Sequence, residues 1–267
     1  MALDYLTFDS NTLYNADGTT PNYVFRAEQD VNGRVHMIEE LGDLSLNLYR
    51  ATTKKNRVYT VHFTLVADDT YSVAYLKNQW ETWHTDVGGE RTVERQTQSG
   101  AIRQLVAVPE DPEWGEEHAN YIEVTQRYTA ANPYWRAASE SSNSANYDGA
   151  TPVSLACNNQ GDVAAWVRLV IDGAVDTPKV AYSTEWELEF NLALSAGDEL
   201  AITCQTPAAV WYTPNGGSAA AAYGYRTAAT MFRKAKLPTG NNNLTLTATS
   251  GTGLCTAYWY NLYESLE

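Results

Sequence analysis

Apolar residues alternate with polar ones along much of this chain, and that period of two predicts β-strands. In DLSLNLYRA, Leu44, Leu46 and Leu48 fall on one face, and in RVYTVHFTLVA the same holds for Val61, Phe63 and Leu65. Both segments read as half-buried antiparallel strands. The segment TYSVAYLKNQWETWHTD breaks the period, because Val73, Leu76, Trp80 and Trp83 recur at spacings of three and four behind an Asp68-Asp69-Thr70 start able to cap a first turn. A helix is predicted here, ended by Gly88-Gly89, with those four apolar residues in the core. Strands follow near ERTVERQT, AIRQLVAVP and NYIEVTQRYTA, the last two joined by a projecting loop, PEDPEWGEEH, stiffened by Pro109 and Pro112.

From Tyr134 to Thr151 the chain is rich in Ser, Asn and Ala and poor in branched apolar residues, the composition of a linker. The boundary is placed there, giving domains over residues 1–137 and 138–267. After it no helical period is found. Short strand-like runs recur at about the 8–12 residue spacing of a sandwich: AWVRLVID, STEWELEFN, DELAITC, AAVWYT, LTLTATS and LCTAYWYNLY. The expected fold is therefore mainly β, an N-terminal β domain with one helix followed by an antiparallel β-sandwich or jelly roll.

Composition narrows the function. Hydrophobic residues form 44% of 267, which excludes global disorder, and neither an 18-residue apolar window nor a secretory signal is visible, so a soluble protein made in a cytosol is expected. The 18 basic residues against 32 acidic ones leave a net charge of -14, shared as -8 and -6 between the two domains. That balance argues against a nucleic-acid-binding surface, which needs clustered Lys and Arg to neutralise phosphates. Cys157, Cys204 and Cys255 each lie beside a strand and read as buried free thiols. The 18 Tyr and 8 Trp exceed what a small core needs, which points to interfaces or to glycan stacking.

The candidate chemistry is sparse. Glu187 and Glu189 share one side of a strand about 6.5–7 Å apart, the separation of an inverting glycosidase pair, yet Trp186, Leu188 and Phe190 on the other face account for the segment as an ordinary strand. Glu110, Asp111, Glu113, Glu116 and Glu117 put five carboxylates around Trp114, either a hard-cation loop or, as favoured here, a solvated or partner-facing one. Trp114-Gly115-Glu116-Glu117 matches a W-G-x-E fragment of galectin sugar sites, but the accompanying H-x-N-x-R is missing after His118. His36, His62, His84 and His118 show no zinc-ligand spacing, and nucleophile-elbow and phosphate-loop motifs are absent. No catalytic residue, metal or cofactor is expected. Trp211, Tyr212, Tyr258 and Tyr260 are the candidate glycan or partner aromatics of the second domain, and a carbohydrate-binding module is the alternative function.

Over nearly its whole length the chain resembles the distal tail protein of long-tailed, non-contractile (siphovirus-type) phages. The residues that carry the resemblance are the helix SVAYLKNQWETWH, the strand and aromatic turn VTQRYTAANPYWR, the opening DVAAWVRLVIDGAVDTPKVAY with its Asp172-Gly173 turn, and the closing LPTGNNNLTLTATSGTGLCTAYWYNLY. The resemblance implies a homohexameric ring of N-terminal domains joining the tail tube protein to the baseplate hub. It also implies outward galectin-like domains that carry a receptor-binding protein, and a place in the virion tail tip after assembly in the host cytoplasm. DNA would pass through the lumen without specific binding, and the Glu110–Glu117 loop is a candidate either for the lumen wall or for the contact with the adjoining ring.

Overall fold

The computed structural model describes residues 5–9, 11–15, 22–41, 46–84, 89–97, 99–205 and 208–265. By its internal contacts the chain separates into two units, Met1–Ala138 with Glu264–Glu267, and Ser139–Tyr263. Antiparallel strands dominate both, and one α-helix occurs among the described residues. No helix there is long and apolar enough to cross a membrane.

The first unit runs through β1 (Tyr5–Phe8), β2 (Asn11–Asn15), β3 (Tyr23–Leu41), β4 (Leu46–Val66), α1 (Val73–His84), β5 (Arg91–Gln96), β6 (Ile102–Pro109), β7 (Glu113–Glu117), β8 (Tyr121–Ala130) and β9 (Trp135–Ala137). Hydrogen bonding orders them β2-β1-β5-β6-β8-β4-β3, with β7 also on β8 and β9 on β6. The alternation of RVYTVHFTLVA is realised: Tyr59, Val61, Phe63 and Leu65 are buried, and Phe63 lies opposite Val124 and Leu65 opposite Ile122. Side chains on one face of such a pair are close enough to pack, so this ladder forms the floor on which α1 sits.

The helix begins one turn later than its acidic lead-in suggests. Asp68 Oδ1 accepts the Thr70 and Tyr71 amides, both at 2.7 Å, and closes the preceding turn, while Ser72 Oγ accepts the Tyr75 amide at 3.2 Å and caps the helix. Val73, Leu76 and Trp80 are buried as expected, but Trp83 is only half-buried and His84 takes the fourth core position. Four residues beyond Trp80 return to the same face, so a ring at 84 stacks under Trp80 with centroids 4.7 Å apart. Trp80 also meets Phe63 at 5.3 Å and donates its indole N–H to Gln126 Oε1 at 3.2 Å. Gly88, expected to end the helix, lies outside the described residues.

Two expectations fail in this unit. DLSLNLYRA and RVYTVHFTLVA are parts of one 21-residue strand, β4, which pairs with the 19-residue β3 that no alternation announced; Leu44 lies outside the described residues. The loop after β6 is not a free projection, because β7 is laid along β8 with Glu113 opposite Thr125 and Trp114 opposite Val124. An exposed edge strand needs no apolar face, which is why its sequence reads as a loop.

The second unit comprises β10 (Ser141–Asp148), β11 (Val153–Asn159), β12 (Ala165–Trp166), β13 (Arg168–Asp176), β14 (Lys179–Tyr182), β15 (Trp186–Glu189), β16 (Glu199–Thr203), β17 (Ala209–Thr213), β18 (Ala220–Ala221), β19 (Lys236–Leu237), β20 (Gly240–Thr247) and β21 (Ser250–Trp259). One sheet has the order β10-β21-β13-β16-β17-β18, another β11-β20-β14-β15, and β12 pairs with β19. Leu169, Ile171, Leu200, Ile202 and Ala257 of the first sheet and Leu155, Val180, Leu188, Leu244 and Leu246 of the second are buried. Cys157, Cys204 and Cys255 are free and buried among them, and burial pushes each thiol up to about 12.

The Ser/Asn-rich stretch expected to be a linker contains β9 and the eight-residue β10, paired residue for residue with β21 from Ser141–Trp259 to Asp148–Thr252. Only Tyr147 of β10 is fully buried, so polar residues suffice at this sheet edge. Asp172-Gly173, expected as a turn, lies inside β13. Gly173, at φ 115°, faces Gly253 so closely that a Cβ would stand 2.9 Å from the Gly253 Cα, and the pair of glycines lets the strand continue to Asp176.

Candidate functional site

β3 and β4 remain paired from Tyr23–Leu65 out to Leu41–Leu46, whereas β8 accompanies β4 only from Val66 to Arg57. Beyond that point the two strands have each other alone among the described pairings. At about 3.4 Å per residue, Arg34–Leu41 makes an arm roughly 27 Å long. Register shifts at Asn32/Arg34 and Met37/Ile38 mark bulges, which sharpen twist. A two-stranded ribbon is marginal in water by itself, and its edges present N–H and C=O groups suited to pairing with another chain.

The acidic segment is partly neutralised by its own sheet. Glu113 receives both guanidinium ends of Arg127 at 2.5 and 3.2 Å, and Glu110 Oε1 accepts the Thr129 hydroxyl at 2.6 Å. Trp114 is half-buried with Lys77 Nζ 5.2 Å from its ring centroid. Asp111, Glu116 and Glu117 are exposed and, among the described residues, have no partner. Among the described residues, no three His, Cys, Asp or Glu side chains gather as a metal-ligand set.

The four aromatics singled out in the second unit do not converge. Trp211 and Tyr212 lie on β17, while Tyr258 lies on β21 and Tyr260 just beyond it, and β13 and β16 stand between, a separation of about 14 Å at the usual strand spacing. Trp211 is 48% exposed. Tyr212 turns inward, donating its hydroxyl at 2.9 Å to Asp198, whose carboxylate also accepts the Ser195 and Asn215 amides at 2.8 Å. These bonds hold the Asp198 carboxyl below the usual carboxylate range, the Ser195 amide foremost, and assign Tyr212 to loop architecture. Tyr258 is covered by the Arg168 guanidinium, 4.0 Å from its centroid, and Arg168 in turn pairs with Glu140 at 2.7 Å.

An exposed group that the alternation did not mark lies around the segment 223–232. Tyr223, Tyr225 and Met231 are all more than 40% exposed, and Tyr223 is stacked between Arg226, 4.1 Å from its centroid, and Phe232 at 5.2 Å. Isolated aromatics between Ala and Gly carry no period, so only folding reveals their grouping.

The remaining candidates have structural partners. Glu187 is paired with Lys179 at 2.6 Å, and the Glu189 backbone is held by Thr230 through its amide at 3.1 Å and its carbonyl at 2.8 Å. His62 bonds Thr125 at 2.8 Å and His118 stacks on Tyr121. His84 Nδ1–H donates to the Trp80 carbonyl at 2.8 Å, so Nε2 accepts from the Tyr128 hydroxyl at 2.9 Å; burial pushes its pKa down to about 4 and keeps the ring neutral. The side chain of His36 is outside what the structure describes.

No protein-family model matches the chain, and no curated protein matches it by sequence. Solved structures do match. The Dit protein of phage SPP1, described as a paradigm of the hub adsorption apparatus in phages infecting Gram-positive bacteria, is 12% identical with a TM-score of 0.66, covering 97% of this chain and 98% of that one. Chains of the phage P2 baseplate in its activated conformation, with Ca and with Sr, are 9% and 8% identical with TM-scores of 0.52 and 0.51, each covering 96% of this chain and 98% of its own. At these identities the likeness establishes one thing, a fold shared with phage Dit and baseplate proteins along almost the entire chain.

Proposed function

We propose that this protein is a structural component of a phage tail tip, a distal tail protein without catalysis of its own. In this reading the first unit closes into a homohexameric ring between the tail tube protein and the baseplate hub. The second unit, from about residue 138, is an independently folding galectin-like sandwich that projects outward and carries a receptor-binding component. The observation that carries the proposal is the extent of the shared fold: both units align with the SPP1 protein, not one module of it. The β3–β4 arm supports it, since a ribbon with open edges gains stability from a neighbouring subunit, and a heterologous contact that closes makes a ring.

Charge fits the same role. Six copies carry a formal charge of 6 × -14 = -84. Carboxylates along a lumen repel phosphates over about 8 Å at physiological salt, which keeps DNA centred and sliding. Asp111, Glu116 and Glu117 are the candidate wall residues. Tail tips isolated from virions test the proposal by stoichiometry: six copies per tail are expected, and absence from the tail refutes it. Tight DNA binding by the isolated ring at physiological salt contradicts the account of the lumen.

A further inference from the structure

Beside β10, the edge strand of the larger sheet, runs β11, the edge strand of the four-stranded one, and between them opens a cleft of about 380 Å³. Asn143, Asn158, Asn241, Asn242 and Asn243 line it, and the buried Trp259 borders it. Register explains the concentration of amides. Asn158 lies opposite Asn241, and Asn243, two residues along β20, projects to the same outward face.

These amides differ in what they already do. Asn143 Nδ2 donates to the Ala156 carbonyl at 2.8 Å and its Oδ1 accepts the Ser144 amide at 2.9 Å, which bridges the two sheet edges. Asn242 spends its amide hydrogens on the Pro238 and Gly240 carbonyls, both at 2.8 Å. Asn158, Asn241 and Asn243 are exposed and bond no described protein group. The Trp259 indole N–H donates to Asn261 Oδ1 at 3.2 Å, which fixes the ring. None of the lining residues is charged, in a chain whose formal charge is -14.

We propose that this cleft binds a neutral saccharide. Each free amide offers a donor and an acceptor together, the pattern that a sugar hydroxyl, itself donor and acceptor, satisfies; an uncharged lining selects against anions and cations alike. An extended peptide would need an open strand edge, and Asn143 already occupies the Ala156 carbonyl there. The site is separate from Trp211, Tyr212, Tyr258 and Tyr260, and it does not depend on the tail-adaptor reading.

The test uses the full chain against a panel of neutral hexose and N-acetylhexosamine oligosaccharides, followed by titration. At least one is expected to bind. Removing two amide contacts in the double variant Asn158→Ala with Asn243→Ala should weaken it by about tenfold or more, as lost hydrogen bonds of this kind do. Asn241→Asp, which places a charge in a neutral site, should weaken it too, while Trp211→Ala leaves it unchanged. The proposal is overturned by no binding across the panel at about 10 mM, a concentration that still detects affinities weaker than the millimolar scale. Binding indifferent to the asparagine variants, or preference for an anionic glycan or a peptide, overturns it equally.

Discussion

One strand crosses two environments in the first unit. From Arg57 to Val66, β4 is hydrogen-bonded on both sides, to β3 and to β8, and Tyr59, Val61, Phe63 and Leu65 enter the core beneath α1. From Leu46 to Asn56 the same strand is paired, among the described residues, with β3 alone. The inner half is stabilised by burial, at about 25 cal/mol for each Å² of apolar surface removed from water. The outer half lacks the β8 partner among the described pairings. A single strand thus runs from a part paired on both sides into a part paired on one, and the proposed ring assigns the open side to a neighbouring subunit.

The sharpest way to break this contrast is at the packed end. Trp80→Ala removes a fully buried indole and should cost about 3–5 kcal/mol, read as a lowered denaturation midpoint. An unchanged midpoint would show that the helix face is not the core claimed here.

Next in size is a pH effect confined to the same packed region. His84 has a folded pKa of about 4 against about 6.5 unfolded, so the unfolded chain takes up the proton first as pH falls. The contribution is complete above pH 6.5 and is lost progressively from there to pH 4, by up to about 3 kcal/mol at 1.36 kcal/mol per unit. His84→Gln should flatten that part of the stability profile, and an equally steep profile in the variant would assign the effect to other groups.

The first prediction rests on a feature legible in the sequence, whereas His84 in the core was not, since the spacing pointed to Trp83; the comparison also explains what else was missed. RVYTVHFTLVA shows its alternation because one side of it meets the core, and Val73, Leu76 and Trp80 show a helical period for the same reason. β7 and β10 are invisible to that logic, since these edge strands leave most of their side chains in water. The Asp172-Gly173 pair looks like a turn because glycine serves both tight turns and close strand approach, and only the facing Gly253 decides between them. Candidate sites fared less well. Trp211 and Tyr258 share a sheet but are separated by two strands, a matter of topology, whereas the asparagine cleft arises only when β10, β11 and β20 come together.

The smallest effect expected concerns the second unit, whose packing should be self-sufficient. Cys157, Cys204 and Cys255, buried and with thiols raised to about 12, should resist thiol reagents at neutral pH until the protein unfolds. Rapid labelling of the native protein would mean that this unit, too, opens readily.

The account stands most directly on the mass of the assembled protein with and without the arm. Native mass measurement of the full chain should give six times 29.6 kDa, about 178 kDa, and a variant with residues 34–54 replaced by a short turn should give 29.6 kDa less the deleted segment, with its thermal unfolding still cooperative. A full chain that stays monomeric even within purified tails, or an armless variant that still forms hexamers, would contradict the claim that the first unit is completed by its neighbours through the arm.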